Sequence, residues 1–364
     1  RIFHVGEAFQ ELDALPAELP ATGYIWIGSA RREFEVRAAE IQGALQAWGV
    51  SPLVDLHVSD LLNHQLPSHY DYTSWYDLMV FRRLVAVPEG NGEPADEDRA
   101  GLLALPARLG VPSVDTSPVG FAVFDRLLVT VHPADCAVRD FFVERLRQMQ
   151  TTTGLVSRMP ASPADLMLRM VNHMVDGYLE LRRQLTRQFT LMQSELLGPR
   201  SRHVNWQALL EARNTLHHLE DICEDQRSAV QEWIDAMAEW PVDAGPVAER
   251  ERELLRLRSR DVLEHIERVL GHVRRLESSA EGAVQMHFSA LGQRTNDVMR
   301  TLTVLTAIFL PLNLITGFFG MNFDFLPLIH SAAGIWIAVA SMVLVGGGLA
   351  LFFWRKRYLD ARPR

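Results

Sequence analysis

Residues 293–327 read QRTNDVMRTLTVLTAIFLPLNLITGFFGMNFDFLP, and the rest of the chain is organised around them. From Thr301 to Trp354 there is no Lys or Arg, and Asp324 is the only acid. A charge-poor window of that length matches two membrane spans of about twenty residues and a short connection, and is too long for one core helix of a soluble domain. The spans read as residues 298–318 and 334–354. Arg294 and Arg300 flank the start of the first, and Arg355, Lys356 and Arg357 follow the second. Positive residues cluster on the cytoplasmic side of membrane spans, so both termini are expected in the cytoplasm and residues 319–333 outside.

The two spans differ in character. The second is uniformly apolar, carries Gly346, Gly347 and Gly348, and has Trp336 and Trp354 near its ends, as a lipid-facing helix would. The first carries Asn296, Met299, Thr303, Thr306, Leu310, Asn313, Gly317 and Gly320 in steps of three and four, which places them on one helical face. Polar groups inside a bilayer are costly unless they meet water or a partner. Asn313 is therefore read as facing water or another subunit; the alternative is that Asn313 and Thr306 only bond between helices.

Upstream, Pro246 opens a run without proline until Pro311. That is roughly 65 residues, or about 95 Å of helix at 1.5 Å per residue. Leu255, Val262, Ile266, Val269, Val273, Leu276 and Ala280 form an apolar stripe along it, so the helix needs partners, and a coiled coil is one way to supply them. Before this stalk, Asp135 to Met149, Pro163 to Leu197 and Asn205 to Met237 keep helical apolar spacing. The N-terminal part reads as a sheet flanked by helices: Gly23 to Ala30, Tyr76 to Pro88 and Gly120 to His132 are strand-like, and Phe34 to Trp48 is a helix capped by Gly49. An acidic loop, Glu89 to Asp98, lies between the second and third of those strand-like runs.

The resulting organisation is an α/β cytosolic domain (1–133), a helical region (134–245), a stalk helix (246–297), a first span (298–318), an outer loop (319–333), a second span (334–354) and a basic tail (355–364). Nothing near Arg1 has the basic, apolar and small-residue regions of a signal peptide, so the bulk of the chain is expected to begin in the cytosol. A formal net charge of −9 argues against nucleic acid as the main partner. Cys136 and Cys223 lie far apart and read as reduced thiols, without a ligand-like spacing. No P-loop, Gly-rich dinucleotide fingerprint or HExxH motif is present, so an enzyme is not expected.

The quoted stretch resembles the CorA family of magnesium and other divalent-cation channels. The resemblance rests on Thr295-Asn296, Val298-Met299, Pro311-Leu312, Gly317 and the aromatic-Gly-Met-Asn run from Phe319 to Asn322. It implies a homopentamer in the inner or plasma membrane, with first spans lining a pore, second spans outside, and a divalent cation, Mg2+ or Zn2+, as cargo rather than a cofactor. Gly320, Met321 and Asn322 match the family's selectivity loop. Asn296, Met299 and Leu302 match its cytoplasmic pore positions, and Thr306, Leu310, Asn313 and Gly317 fall on the same face. Asp324 matches an outer acid that attracts cations, whereas a later acid position carries Leu328, with His330 nearby. Aligned through the signature, Gln285 occupies the family's acidic regulatory position on the stalk. Those departures bring the chain nearer to the zinc-transporting ZntB-like branch.

A second metal candidate stands apart from the pore. His217 and Asp221 are four residues apart on one predicted helix face, a spacing that can hold a divalent ion. With Glu220, Glu224 and Asp225 nearby, the same residues also read as a solvated acidic face.

Overall fold

The computed structural model describes residues 1–85, 114–134, 136–151, 159–197, 206–240, 245–321 and 332–356. The acidic loop from Glu89 to Asp98, and the sites Asn322 and Asp324, lie outside these residues. The chain divides into two units, Arg1–Glu281 and Gly282–Arg364.

The first unit is built on a seven-stranded sheet. Its strands are β1 (Ile2–Val5), β2 (Phe9–Leu12), β3 (Tyr24–Ala30), β4 (His69–Tyr72), β5 (Asp77–Leu84), β6 (Thr116–Val123) and β7 (Leu127–His132). They lie in the order β2-β1-β3-β7-β6-β5-β4. Every pairing is antiparallel except β3 with β7, which run parallel with Ile25 opposite Leu127. The sequence 120–132, read as one strand-like run, is in fact the end of β6 and the whole of β7, folded at Phe124-Asp125-Arg126. The polar pair Asp125-Arg126 has no place in a buried strand and makes the turn, where the Phe124 N–H donates to the Leu127 carbonyl at 2.9 Å.

Helix α1 (Arg31–Ala47) and α2 (Asp55–Leu62) cover one face of the sheet. Phe34, Ile41, Leu45 and Leu61 from these helices join Ile25, Ile27, Leu78, Leu127, Val129 and Val131 in one core. Gly49 ends α1 as its sequence position suggested: at φ +71° it adopts the left-handed conformation that glycine tolerates best. Its N–H donates to the Gln46 carbonyl and that of Val50 to Leu45, which satisfies the helix's last acceptors.

On the other face lie α3 (Ala137–Thr151), α4 (Pro163–Leu197) and α5 (Trp206–Glu239). Trp26, which alternates with Ile25 and Ile27, points to this side and donates its indole N–H to Thr130 Oγ1 at 3.0 Å. Tyr178 of α4 and Gln226 of α5 both donate to the Arg82 carbonyl of β5, each at 2.9 Å. Covered on both faces, the central strands are buried almost throughout.

The long helix α6 runs from Pro246 to Phe319. Within the first unit its stripe is buried at Leu255, Val262, Ile266, Val269, Val273 and Ala280, with Leu276 half-buried. The partners of this stripe belong to the same chain. Ser259 accepts from Trp233 of α5 at 3.0 Å, while Arg258 pairs with Asp165 of α4 at 2.9 Å. Thr186 of α4 lies 2.7 Å from His272, and Gln193 donates to Ser279. A coiled coil between chains is therefore not what covers the stripe. Cys136 and Cys223 are free and buried, and burial pushes the Cys223 thiol up to about 12.

The second unit holds the end of α6 and α7 (Ala332–Arg355). Both of these helices are long and apolar enough to cross a membrane. They touch where Leu312 meets Gly346: a Cβ at Gly346 would stand 3.4 Å from a Leu312 methyl.

Candidate functional site: the polar face of α6

In the second unit the covered sector of α6 carries Val304, Ala307, Ile308, Pro311, Leu312 and Ile315, which are buried or half-buried. The sector carrying Met299, Leu302, Thr306, Leu310, Asn313, Gly317 and Gly320 is exposed, as is Asn296. At about 100° per residue, Met299, Thr306, Asn313 and Gly317 sit roughly 140–180° around the helix from Val304. The polar face is thus opposite the covered one.

The threonines and asparagines on this segment behave differently. Thr303 donates to the Met299 carbonyl at 2.8 Å and Thr306 to Leu302 at 2.9 Å. Thr295, Thr301 and Thr316 likewise bond to carbonyls three or four residues back. A hydroxyl that bonds its own helix is satisfied in any surroundings, so these threonines make no demand on the environment. A carboxamide carries two donors and an acceptor, so a single bond of that kind would leave the rest of the group unsatisfied. Among the described residues, the Asn296 and Asn313 side chains have no hydrogen-bond partner. For Thr306 the reading of a bond between helices does not describe what is seen, since its hydroxyl bonds within its own helix. Asn313 makes no bond to α7 among the described residues.

The helix ends at the signature. Gly320 N–H donates to the Thr316 carbonyl at 2.9 Å, closing the last turn, and Met321 N–H to Phe318 at 3.3 Å. Pro311 sits inside α6 and has no N–H to give. Met299, Leu302 and Leu310 are exposed by 58, 63 and 68 %, so a contiguous apolar and amide surface is offered outward along one helix face.

The second metal candidate comes out differently from its sequence reading. His217 Nε2 lies 2.9 Å from Glu277 Oε1 of α6, and its Nδ1 lies 4.0 Å from Glu220 Oε2. His217, Glu220 and Glu277 form a group whose ligand atoms are all within 4.8 Å of one another, and Asp221 is not part of it. Asp221 is instead exposed, one residue beyond the face that α5 turns toward α6. Glu277 was missed because it is sixty residues away in sequence; only the antiparallel register of α5 and α6 brings it to His217. Next to this group burial, then the charges of Asp221 and Glu224, raise the pKa of Asp225.

The family model for CorA-like Mg2+ transporter protein matches residues 100–357. The "Cobalt/magnesium transport protein CorA" of Thermotoga maritima is 23% identical over 194 residues, covering 53% of this chain and 52% of that protein. The "Magnesium transport protein CorA" of Yersinia pseudotuberculosis is 31% identical over 101 residues, 28% of this chain and 32% of that protein. The matched segments thus span about half, or a third, of those relatives' lengths. Among solved structures, the CorA magnesium transporter from Methanocaldococcus jannaschii superposes with a TM-score of 0.66 at 17% identity, over 97% of this chain and 96% of that one, which shows the fold. With the family model spanning residues 100–357 of the 364, the chain belongs to the family of CorA-like Mg2+ transporter proteins.

Proposed function

We propose that the chain conducts divalent cations across the cell membrane, with Mg2+ as its cargo, through a pore on the axis of a homopentamer. The observation that carries this reading is the exposed face of α6 opposite α7, on which Asn296 and Asn313 present carboxamides that nothing among the described residues satisfies. A carboxamide on a membrane span is stable where it meets water, and a water-filled pore lined by copies of this face supplies it. In this reading residues 1–245 and the stalk 246–297 are cytosolic, 298–318 line the pore, 334–354 face lipid, and both termini are cytoplasmic.

The chemistry suits a hydrated ion. Magnesium gives up its water reluctantly, so rings of neutral amide oxygens at Asn313 and Asn322 hold the hydrated cation without stripping it. Asp324 and the loop Gly320-Met321-Asn322 stand at the outer mouth in this reading. Rings of Met299 and Leu302 close the path by dewetting, a way in which apolar constrictions gate. The membrane potential drives the ion inward. No resident cofactor and no chemical step are assigned. Zn2+ is the competing cargo, favoured by the sequence departures at Gln285 and Leu328.

The test is cation uptake into proteoliposomes loaded with magnesium- or zinc-sensitive dye, with and without a pH gradient. Magnesium flux is expected to fall at least tenfold in Asn322→Ala and Asn313→Leu. In Thr306→Val, whose hydroxyl only bonds its own helix, it is expected to stay within about twofold of wild type. Zinc flux without magnesium flux would reassign the cargo. No flux of either ion from a verified pentamer would sink transport and leave a membrane-anchored scaffold.

A further inference from the structure

Helices α5 and α6 pack antiparallel in the first unit, and a ladder of charged side chains joins them. Arg213 of α5 pairs with Glu281 of α6 at 3.2 Å. One turn along, His217 meets Glu277 at 2.9 Å. At the next rung Arg274 of α6 pairs with Glu220 at 2.7 Å and also with Glu224. The ladder therefore sets four carboxylates, Glu220, Glu224, Glu277 and Glu281, against two guanidiniums, Arg213 and Arg274. The middle rung is the one without a permanent cation, since a neutral imidazole carries no charge to offset Glu277.

The same rung has the donor geometry of a metal site. His217 and Glu220 are three residues apart, so they lie on one face of α5, and Glu277 reaches them from α6. Their ligand atoms all lie within 4.8 Å of one another. Arg274 occupies Glu220 Oε1, which turns Oε2 toward His217 and fixes the carboxylate in place as a hydrogen-bonded outer partner does for metal ligands. Glu220 and Glu277 are only 20% and 16% exposed, so their carboxylates sit among packed helices, whereas His217 at 53% leaves an entry path for an ion.

We propose that His217, Glu220 and Glu277 bind a zinc-class divalent cation that clips α5 to α6. One imidazole nitrogen and two carboxylate oxygens suit Zn2+, with water completing a tetrahedron, whereas Mg2+ prefers an all-oxygen octahedron. On binding, Nε2 of the neutral imidazole takes the metal while Nδ1 carries the ring's single proton, so the ring stays neutral. The two charges of the ion offset the two negative charges by which the four carboxylates exceed the two guanidiniums. The site lies in the first unit, apart from the polar face in the second, and does not depend on what that face conducts.

Hydrogen–deuterium exchange on the metal-stripped full chain in detergent tests this, because the readout is local and substitutions at His217 and Glu277 separate this site from His218 and His272, which lie in the same peptides. Micromolar Zn2+ is expected to slow exchange at least fivefold in peptides covering residues 214–223 and 272–281, and millimolar Mg2+ is expected to leave them unchanged. The protection should vanish in His217→Ala and in Glu277→Gln and persist in Asp221→Asn, with circular dichroism checking that each variant is folded. Absence of zinc protection in the wild type would overturn the proposal. So would protection that survives both substitutions, or equal protection by Mg2+.

Discussion

Replacing Gly120 with alanine should test how closely α2 is seated on the sheet. A Cβ at this position would stand 2.3 Å from Leu61 Cδ2 and 3.6 Å from its Cγ, where ordinary carbon contacts lie near 3.5–4.0 Å. The backbone at Gly120 allows alanine, so the whole penalty is packing. Leu61 is 2% exposed in the core shared by α1, α2 and the sheet, and its methyl has little room to retreat. Over-packing of this kind costs about 1–3 kcal/mol. Near 2–4 °C per kcal/mol for a unit of this size, that is a fall in Tm of roughly 2–12 °C. Leu61→Ala alone leaves a cavity and should cost about 2–5 kcal/mol. In the double variant the clashing methyl is gone and the new one fills part of the hole, so the effects should fall short of additivity by at least about 1 kcal/mol. Thermal unfolding of the full chain in detergent, followed by far-UV circular dichroism, measures all four corners of the cycle. An unchanged Tm in Gly120→Ala, or two effects that simply add, would refute the close-approach reasoning.

Two further outcomes follow from other contacts. Burial raises Asp77 to about 6, although the Tyr70 hydroxyl donates to it at 2.5 Å. The folded chain therefore holds this proton more tightly than the unfolded one, and the stability Asp77 contributes is full below about pH 4 and lost as pH rises through about 6. Asp77→Asn keeps an acceptor for Tyr70, so its Tm should match wild type near pH 4 and exceed it above pH 6; a constant difference across that range would contradict the assignment. In α7, Gly346 faces Leu312 at 3.4 Å whereas Gly347 has nothing within 4 Å. Gly346→Leu should lower thermal stability and recovery from the membrane, and Gly347→Ala should not; equal behaviour of the two would mean that α7 does not rest on α6 through this glycine.

Much of this fold was legible in the sequence because its signals are local. Residues 24–27 of β3 and 78–81 of β5 announce themselves as continuous apolar runs since both of their faces are buried. The short edge strands β2 and β4, FQEL and HYDY, did not, because four residues with solvent on one side look like loop. Pro163–Leu197 could be read to its ends from periodicity and its opening proline. The stripe on α6 was visible, yet its partners were not: nothing local to Val269 or Val273 says that α4 and α5 cover it. The polar face of α6 was legible as spacing, whereas the division between self-bonded threonines and unsatisfied asparagines needed coordinates. The metal group was half legible, since His217 carries its signal and Glu277 lies on another helix.

The parallel pairing of β3 with β7 has a consequence for synthesis. At 5–20 residues per second, β3 waits roughly 5–20 s for the ~100 residues that separate it from β7. Until then Ile25, Trp26 and Ile27 present an unpaired edge, and a nascent chain in that condition is a natural client of a holding chaperone. The apolar part of α6 emerges later still, roughly 170 residues after β7, or about 8–34 s at the same rate. The sheet thus has time to close before the first candidate span emerges, so folding of the sheet and membrane insertion can proceed in sequence on one ribosome. Slowing translation between β3 and β7 lengthens the exposed interval, while slowing it after His132 leaves the finished sheet unaffected.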